Sequence, residues 1–251
     1  MISTPISCTS DYYSGSDFDY DDDVVKAAPQ HHCSLNDTNI ILQTLIQNQY
    51  QQSSSNISST NKIQQSIQLL KLVQKYDLSN EIFIRANAIL HKFLLSTKCV
   101  NNIDVSILIA CLSLSTKLSQ HSTHSSIPLF NSDSLILNEN MICNALEWDI
   151  DMITPINYIE AMLLHVTDSS IKARVRELTY ELIVLCLTDV RCIDLSSDSL
   201  AMSCLLMTSE LLDCCEIIPK QTFLYIQDKN SLFETSLIFI RQILVNISSK
   251  K

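Results

Sequence analysis

The chain has 251 residues and one glycine, Gly15, and this scarcity limits what it can fold into. Nucleotide-binding loops, kinase glycine loops and the turn that presents a nucleophilic serine need clustered glycines, because the backbone there approaches a phosphate or bends sharply. Sandwiches and barrels need many turn residues, and five prolines with one glycine are too few. The sequence therefore predicts an all-α protein and excludes those enzyme classes.

Charge divides the chain into an acidic N-terminal segment and a nearly balanced remainder. The whole chain carries 17 basic and 27 acidic residues, a formal charge of −10, and six aspartates lie within residues 1–36. Such a chain has little attraction for phosphate backbones or anionic lipid, which excludes nucleic acid and membranes as partners. Residues 1–35 cannot bury enough apolar surface to order themselves, so we expect a disordered acidic tail there.

The sequence shows no membrane span, no signal peptide and no paired metal-ligand motif, and these features bear on the compartment and the cofactors that we expect. No apolar run reaches the 18 residues of a membrane span, and the N-terminus lacks the basic and apolar regions of a signal peptide, so we expect an intracellular protein. The ten cysteines are scattered without a CxxC pair and predict small buried hydrophobes. His31-His32-Cys33 and the His121/His124 pair have no second pair at zinc spacing. We therefore expect no metal, no cofactor and no catalytic residue.

Helical periodicity organises the rest into two similar halves of about five helices each. In each half one helix is rich in small residues and is expected to be central: 104–119 in the first half and 196–214, with its small residues over 196–211, in the second. The other helices are expected from residue 36 or 37, from 62, from 79, from Asn138 to Trp148, from Thr154 to about Val166, and near 169–188, 219–227 and 231–248. The halves would join near 151–154, with Trp148 close to the junction.

Several short segments recur in an order and spacing that is more specific than any one of them alone. In the first half these are Phe93-Leu94, the run Ala110 to Lys117, and the run Glu139 to Trp148. In the second half they are Thr154-Pro155, Tyr158-Ile159-Glu160 and the run Cys186 to Ile193. This arrangement resembles the cyclin family, and D-type cyclins most closely, over residues 62–245.

The resemblance implies two tandem five-helix cyclin folds, residues 36–152 and 153–251, and no enzyme activity. It implies a regulatory subunit that binds and activates a cyclin-dependent Ser/Thr kinase, in the nucleus and cytoplasm, during G1 progression. Lys117 and Glu139 would contact the kinase, with the lysine donating to backbone carbonyls and the carboxylate accepting amide protons. Without the resemblance, each would be interpreted as a charge that complements a helix dipole, Glu139 in a first turn and Lys117 in a last turn.

Departures from the cyclin pattern leave alternatives open. The helix that begins at Lys62 lacks the family's Met-Arg and Trp signature, and the segment between Lys117 and Glu139 is short enough that its helix would be reduced. The sequence Leu212-x-Cys214-x-Glu216 matches a peptide that binds retinoblastoma-type pocket proteins, but its position at a helix end favours chance. A cyclin-fold scaffold without a kinase is the main alternative, and a transcription-factor-type cyclin fold is disfavoured by the acidic charge.

Overall fold

A computed structural model of the chain describes residues 40–45, 59–97, 103–119, 133–214 and 233–249. All regular secondary structure in these residues is helical, which confirms the predicted all-α class. The helices are α1 (residues 40–45), α2 (Ser59–Lys75), α3 (Asn80–Thr97), α4 (Val105–Leu118), α5 (Asp133–Ala145), α6 (Pro155–Leu163), α7 (Ser169–Leu187), α8 (Ser197–Leu211) and α9 (Phe233–Ser248).

The two helices rich in small residues are central, as predicted. Every residue of α4 from Ala110 to Thr116 is buried, and α3 and α5 pack against this helix. Eleven of the 15 residues of α8 are buried, and α6, α7 and α9 pack against it. Small side chains on these helices let several neighbours approach closely, and the apolar residues between them form one continuous hydrophobic core.

Three of the helices in the described ranges end in a left-handed residue that is not glycine. In each case the residue after it donates its N–H to the carbonyl five positions back, which closes the turn normally formed around a glycine. The left-handed residues are Asp77 (φ 51°), Glu147 (φ 54°) and Asp213 (φ 51°), at the ends of α2, α5 and α8. The closing hydrogen bonds are Leu78 N to Val73 O (3.0 Å), Trp148 N to Cys143 O (2.7 Å) and Cys214 N to Ser209 O (2.9 Å). A chain with one glycine thus ends helices with acidic residues at an energetic cost.

The starts of α4 and α6 are where the sequence predicts them. Asp104 caps α4 and accepts a hydrogen bond from the Ser106 amide at 3.4 Å. Thr154 and Asn157 form a reciprocal capping box before Pro155, the first residue of α6. Both starts were predictable because a cap acts locally, within one turn of the helix it begins.

The expected helix from Asn138 to Trp148 is wrong at both ends. It begins at Asp133, which places an acidic side chain in the first turn, and it ends at Ala145 because Glu147 and Trp148 adopt left-handed conformations. The ends expected near residues 166 and 214 are also too late. The first of these helices ends at Leu163, ahead of the Asp168 cap of α7, and the second ends at Leu211, ahead of the left-handed Asp213.

In α1 Leu42 is fully buried, whereas Ile40 is 62% exposed. The acidic tail, the helix at 219–227, the cap at Ser231 and the short segment after α4 lie outside the described residues. The division into tandem folds at 36–152 and 153–251 stays a prediction.

Candidate functional site

Lys117 and Glu139 meet at the contact between α4 and α5. Lys117 lies in the last turn of α4 and Glu139 lies in the middle of α5. The Lys117 ammonium is 2.7 Å from Oε1 and 2.6 Å from Oε2 of Glu139. The structure therefore brings the two predicted site residues together, although the segment between them is short.

Burial of the pair is strongly asymmetric. The Glu139 side chain is 9% exposed, whereas that of Lys117 is 60% exposed. Glu139 shares the inner face of α5 with the buried residues Leu135, Ile142 and Cys143. The interpretation of Glu139 as a first-turn dipole charge is wrong, because α5 begins six residues earlier at Asp133. An ammonium has three N–H donors, so Lys117 can bond both carboxylate oxygens and still donate outward.

Hydrogen bonds to α3 hold the C-terminal half of α4 that carries Lys117. The buried hydroxyl of Ser115 donates to the carbonyl of Ile82 at 2.9 Å. The Ser119 hydroxyl, just after the helix, donates to Glu81 Oε1 at 3.3 Å, and Glu81 also accepts from Arg85 at 3.1 Å. These bonds anchor both sides of Lys117, so its backbone is fixed while its side chain reaches the surface.

Trp148 is the large aromatic side chain at the end of α5. It is 64% exposed and its own backbone is left-handed, with φ of 63° directly after the left-handed Glu147. Its indole N–H donates to Asn144 Oδ1 at 3.2 Å. The next residue, Asp149, is held by the ammonium of Lys92, which lies 2.5 Å from its carboxylate and 3.0 Å from its carbonyl oxygen. Strained backbone that its surroundings hold in place is common at functional sites.

The outer face of α5 carries further apolar side chains. Ile136, Leu137 and Met141 are 52%, 68% and 44% exposed. They give α5 an apolar outer surface, while its inner face packs in the core, and the exposed Trp148 follows three residues after the helix ends. Exposed apolar groups that share one element mark interaction surfaces more often than isolated ones do.

A partly buried polar cluster between α2, α3 and the turn after α7 was not predicted. Lys62 Nζ lies 2.6 Å from Asp194 Oδ1. One turn further along α2, the buried Ser66 hydroxyl is 2.7 Å from Asn87 Oδ1 and 3.3 Å from His91 Nε2. Burial and the neighbouring Lys62 charge lower the pKa of His91 from 6.5 to about 4. Nothing local in the sequence signals a pair whose members lie 132 positions apart.

A second charged cluster joins α6 to α7. Glu160 accepts two hydrogen bonds from Arg176, at 2.6 and 2.7 Å, and one from the Tyr180 hydroxyl at 2.8 Å. Burial alone would raise the pKa of Glu160, but these hydrogen bonds hold that pKa below its usual value. The sequence identified Glu160 as part of a family pattern without giving it a role, and its role in the structure is to join two helices.

The remaining predicted residues are structural or lie outside the described residues. Phe93 and Leu94 are buried in the core. The prediction that cysteines are buried hydrophobes is confirmed for five of the six described, and Cys214 is half-buried. Leu212 directly follows α8 and Glu216 is outside the description, as are all four histidines considered as metal ligands. Within the described ranges, His, Cys, Asp and Glu side chains form no cluster of three that could hold a metal ion.

Comparison with known proteins gives a family match for the first half of the chain. Residues 33–151 match the family model of the cyclin N-terminal domain. A viral cyclin from herpesvirus saimiri has a similar solved structure, with a TM-score of 0.60 and 18% sequence identity. Both matches support the cyclin family. The structural alignment covers 83% of this chain and 96% of the viral cyclin, so the cyclin fold extends beyond the domain that the family model matches.

No curated protein sequence matches the chain. The likeness to the viral cyclin at this level of identity establishes a shared fold, and closeness to D-type cyclins is not established by either match. The residues that match the cyclin N-terminal domain include both Lys117 and Glu139. No helix among the described residues is both long enough and apolar enough to cross a bilayer.

Proposed function

We propose that this chain binds a cyclin-dependent Ser/Thr kinase through α4 and α5 and activates it. The observation that carries the proposal is the asymmetric Lys117–Glu139 pair, in which a buried carboxylate holds an exposed ammonium on a cyclin N-terminal domain. A lysine held in this way is already oriented when a partner arrives. It therefore loses less side-chain entropy on binding than a freely rotating surface lysine.

The outer face of α5 supplies the apolar part of the proposed interface. Trp148 is the strongest candidate for an anchor, because tryptophan is enriched among the residues that dominate binding energy and this one is exposed. Ile136, Leu137 and Met141 on α5 would add apolar area to the interface. Lys117 would donate to kinase backbone carbonyls, and Glu139 would act by holding Lys117, since its own oxygens are buried.

Activation would act on the kinase, because the chain is proposed to be a regulatory subunit and not an enzyme. A kinase is active when its αC helix is held inward, so that the helix's glutamate pairs with the lysine that contacts ATP phosphates. The surface formed by α4 and α5 is suited to hold such a helix, because hydrogen bonds to α3 fix the C-terminal part of α4 from behind.

A panel of purified cyclin-dependent kinases mixed with the full chain tests this function. We expect at least one to bind and to gain phosphorylation activity towards a proline-directed peptide. Binding to no member of the panel, by a chain whose unfolding transition shows that it is folded, would contradict the proposal and favour the scaffold function. Binding without a gain in phosphorylation activity would support a kinase as the partner and contradict the proposed activation.

The cell-cycle stage and the location of the protein are part of the same proposal. We propose a role in G1 progression and a location in the nucleus and cytoplasm, on the residue patterns shared with D-type cyclins. Recognition of a retinoblastoma-type pocket protein is not supported, because Leu212 and Cys214 adjoin a helix end, whereas such a peptide binds in an extended form.

A further inference from the structure

A groove of about 400 Å³ lies between α9 and the turn after α7. The described residues that line it are Arg191, Ile238, Arg241, Gln242, Val245 and Asn246. None of them belongs to α4 or α5, so the groove is separate from the proposed kinase-binding surface. We propose that it binds an acidic and apolar peptide segment of a partner protein.

The apolar part of the groove comes from the outer face of α9. Ile238 and Val245 are 54% and 63% exposed, and they lie seven positions apart on the same side of the helix. The opposite face already serves the core through Ser236, Ile240 and Ile243, which are buried. The exposed branched side chains therefore do not contribute to the core. An apolar partner side chain that covered them would remove apolar surface from water and so stabilise the complex.

The polar part of the groove comes from two oriented guanidinium groups. Arg191 donates to both carboxylate oxygens of Asp189, at 2.9 and 2.7 Å, and to Gln242 Oε1 at 3.1 Å. Arg241 is 57% exposed at its side chain and donates through Nη2 to Glu210. A guanidinium has five N–H donors, so both arginines retain donors for a further acceptor.

Charge complementarity selects an acidic occupant. The chain has a net charge of −10, yet two of its five arginines line this groove and none of the described lining residues carries a carboxylate. A partner carboxylate can accept from these donors while neighbouring apolar side chains cover Ile238 and Val245. A nucleic acid is disfavoured because a protein with a net charge of −10 repels a polyanion along its whole length.

The test is selection of a phage-displayed library of random 12-residue peptides on the full chain, after depletion on the Arg241→Glu variant. We expect the enriched peptides to contain an acidic residue beside leucine, isoleucine or phenylalanine. A synthetic peptide of the enriched sequence should bind the native chain at least tenfold more tightly than the Arg241→Ala or Val245→Ser variant. Arg174→Ala, an exposed arginine on α7, is the matched control and should change nothing.

Both groove variants replace exposed side chains, so they should unfold at the same temperature as the native chain, and affinity can be compared between folded proteins. The proposal is overturned if no peptide survives depletion, if the enriched peptides lack acidic residues, or if both variants bind like the native chain. Competition by a 20-nucleotide single-stranded DNA would overturn it in favour of a polyanion site. Peptide binding that persists in Lys117→Ala separates this groove from the kinase-binding surface, whatever becomes of that surface.

Discussion

The Lys117–Glu139 pair and the Glu160–Arg176–Tyr180 cluster both join neighbouring helices by charge, yet they differ in what they leave for a partner. Glu160 receives three hydrogen bonds, and its arginine is fixed by a two-point contact. In the other pair the carboxylate is buried and the lysine is 60% exposed. In the first arrangement both side chains are only about a third exposed and their hydrogen bonds join two helices, whereas the second presents a mostly exposed and positioned donor. Contact with a carboxylate therefore does not by itself distinguish a structural charge from a binding one.

The two regions should differ clearly in their contribution to kinase affinity. Trp148→Ala should weaken kinase binding by about 2 to 4 kcal/mol, roughly 30-fold to 1,000-fold, because it removes an aromatic anchor from the proposed interface. Its folding stability should change by less than about 0.5 kcal/mol, since the side chain is 64% exposed. Isothermal calorimetry with the kinase and thermal unfolding measure the two quantities. Tyr180→Phe, which removes one hydrogen bond from the Glu160 cluster, should leave affinity unchanged.

The internal polar cluster at His91 should appear in the pH dependence of stability. The folded pKa of about 4 lies below the usual 6.5, so the unfolded chain takes up the proton first as pH falls. The free energy of unfolding should therefore be unaffected by this group above pH 6.5 and should fall by about 2 to 3 kcal/mol between pH 6.5 and 4. Urea titrations across this range measure the loss.

His91→Asn should remove this part of the pH dependence and keep the part due to Glu160 and Asp189, whose lowered pKa values place their effect below about pH 4.5. An identical pH profile in native chain and variant would show that the His91 ring does not stay neutral in the folded protein.

The two ion pairs should also differ in their contribution to folding. Lys117→Ala leaves a buried carboxylate without its cation, and we expect a loss of about 1 to 3 kcal/mol. Arg176→Ala should cost about 1 kcal/mol, because Glu160 is 39% exposed at its side chain, can be hydrated and keeps the hydrogen bond from Tyr180. Denaturant unfolding of both variants checks the order. A larger loss for Arg176→Ala would contradict the assigned burial asymmetry.

The smallest effect concerns the strained turn that presents Trp148. Glu147→Gly removes the steric cost of a left-handed residue and should raise stability by about 0.5 to 1 kcal/mol. Asp77→Gly and Asp213→Gly are matched controls at the same position of two other helices and should act alike. If Glu147→Gly stabilises the fold but lowers kinase affinity while the controls do not, the rigid turn contributes to binding.

The sequence predicts the helices well where local chemistry decides. Asp104 and Thr154 cap the helices that were expected to begin there, and the small residues of α4 and α8 identify the central helices. The prediction of α5 fails at its start because no local signal distinguishes Asp133 from Asn138 as the first residue. It fails at its end because a chain with one glycine ends helices at residues such as Glu147, whose type does not indicate a helix end.

For the site, the sequence identifies Lys117 and Glu139 through a family pattern and not through their environment. It could not predict that one would be buried and the other exposed, because burial depends on how α5 rotates against α4. The Lys62–Asp194 contact and the groove beside Arg191 were beyond prediction for the same reason, since each joins residues from distant parts of the chain.

The most direct test of the account is the kinase affinity of Lys117→Ala beside that of Arg176→Ala, each with its unfolding curve. If Lys117 donates to kinase backbone at a desolvated interface, Lys117→Ala should weaken binding by about 2 to 5 kcal/mol, or roughly 30-fold and more. Lys117→Arg should restore part of the loss, and Arg176→Ala should bind like the native chain. Equal affinity of folded Lys117→Ala and native protein for the same kinase would contradict the assignment of α4 and α5 as the kinase-binding surface.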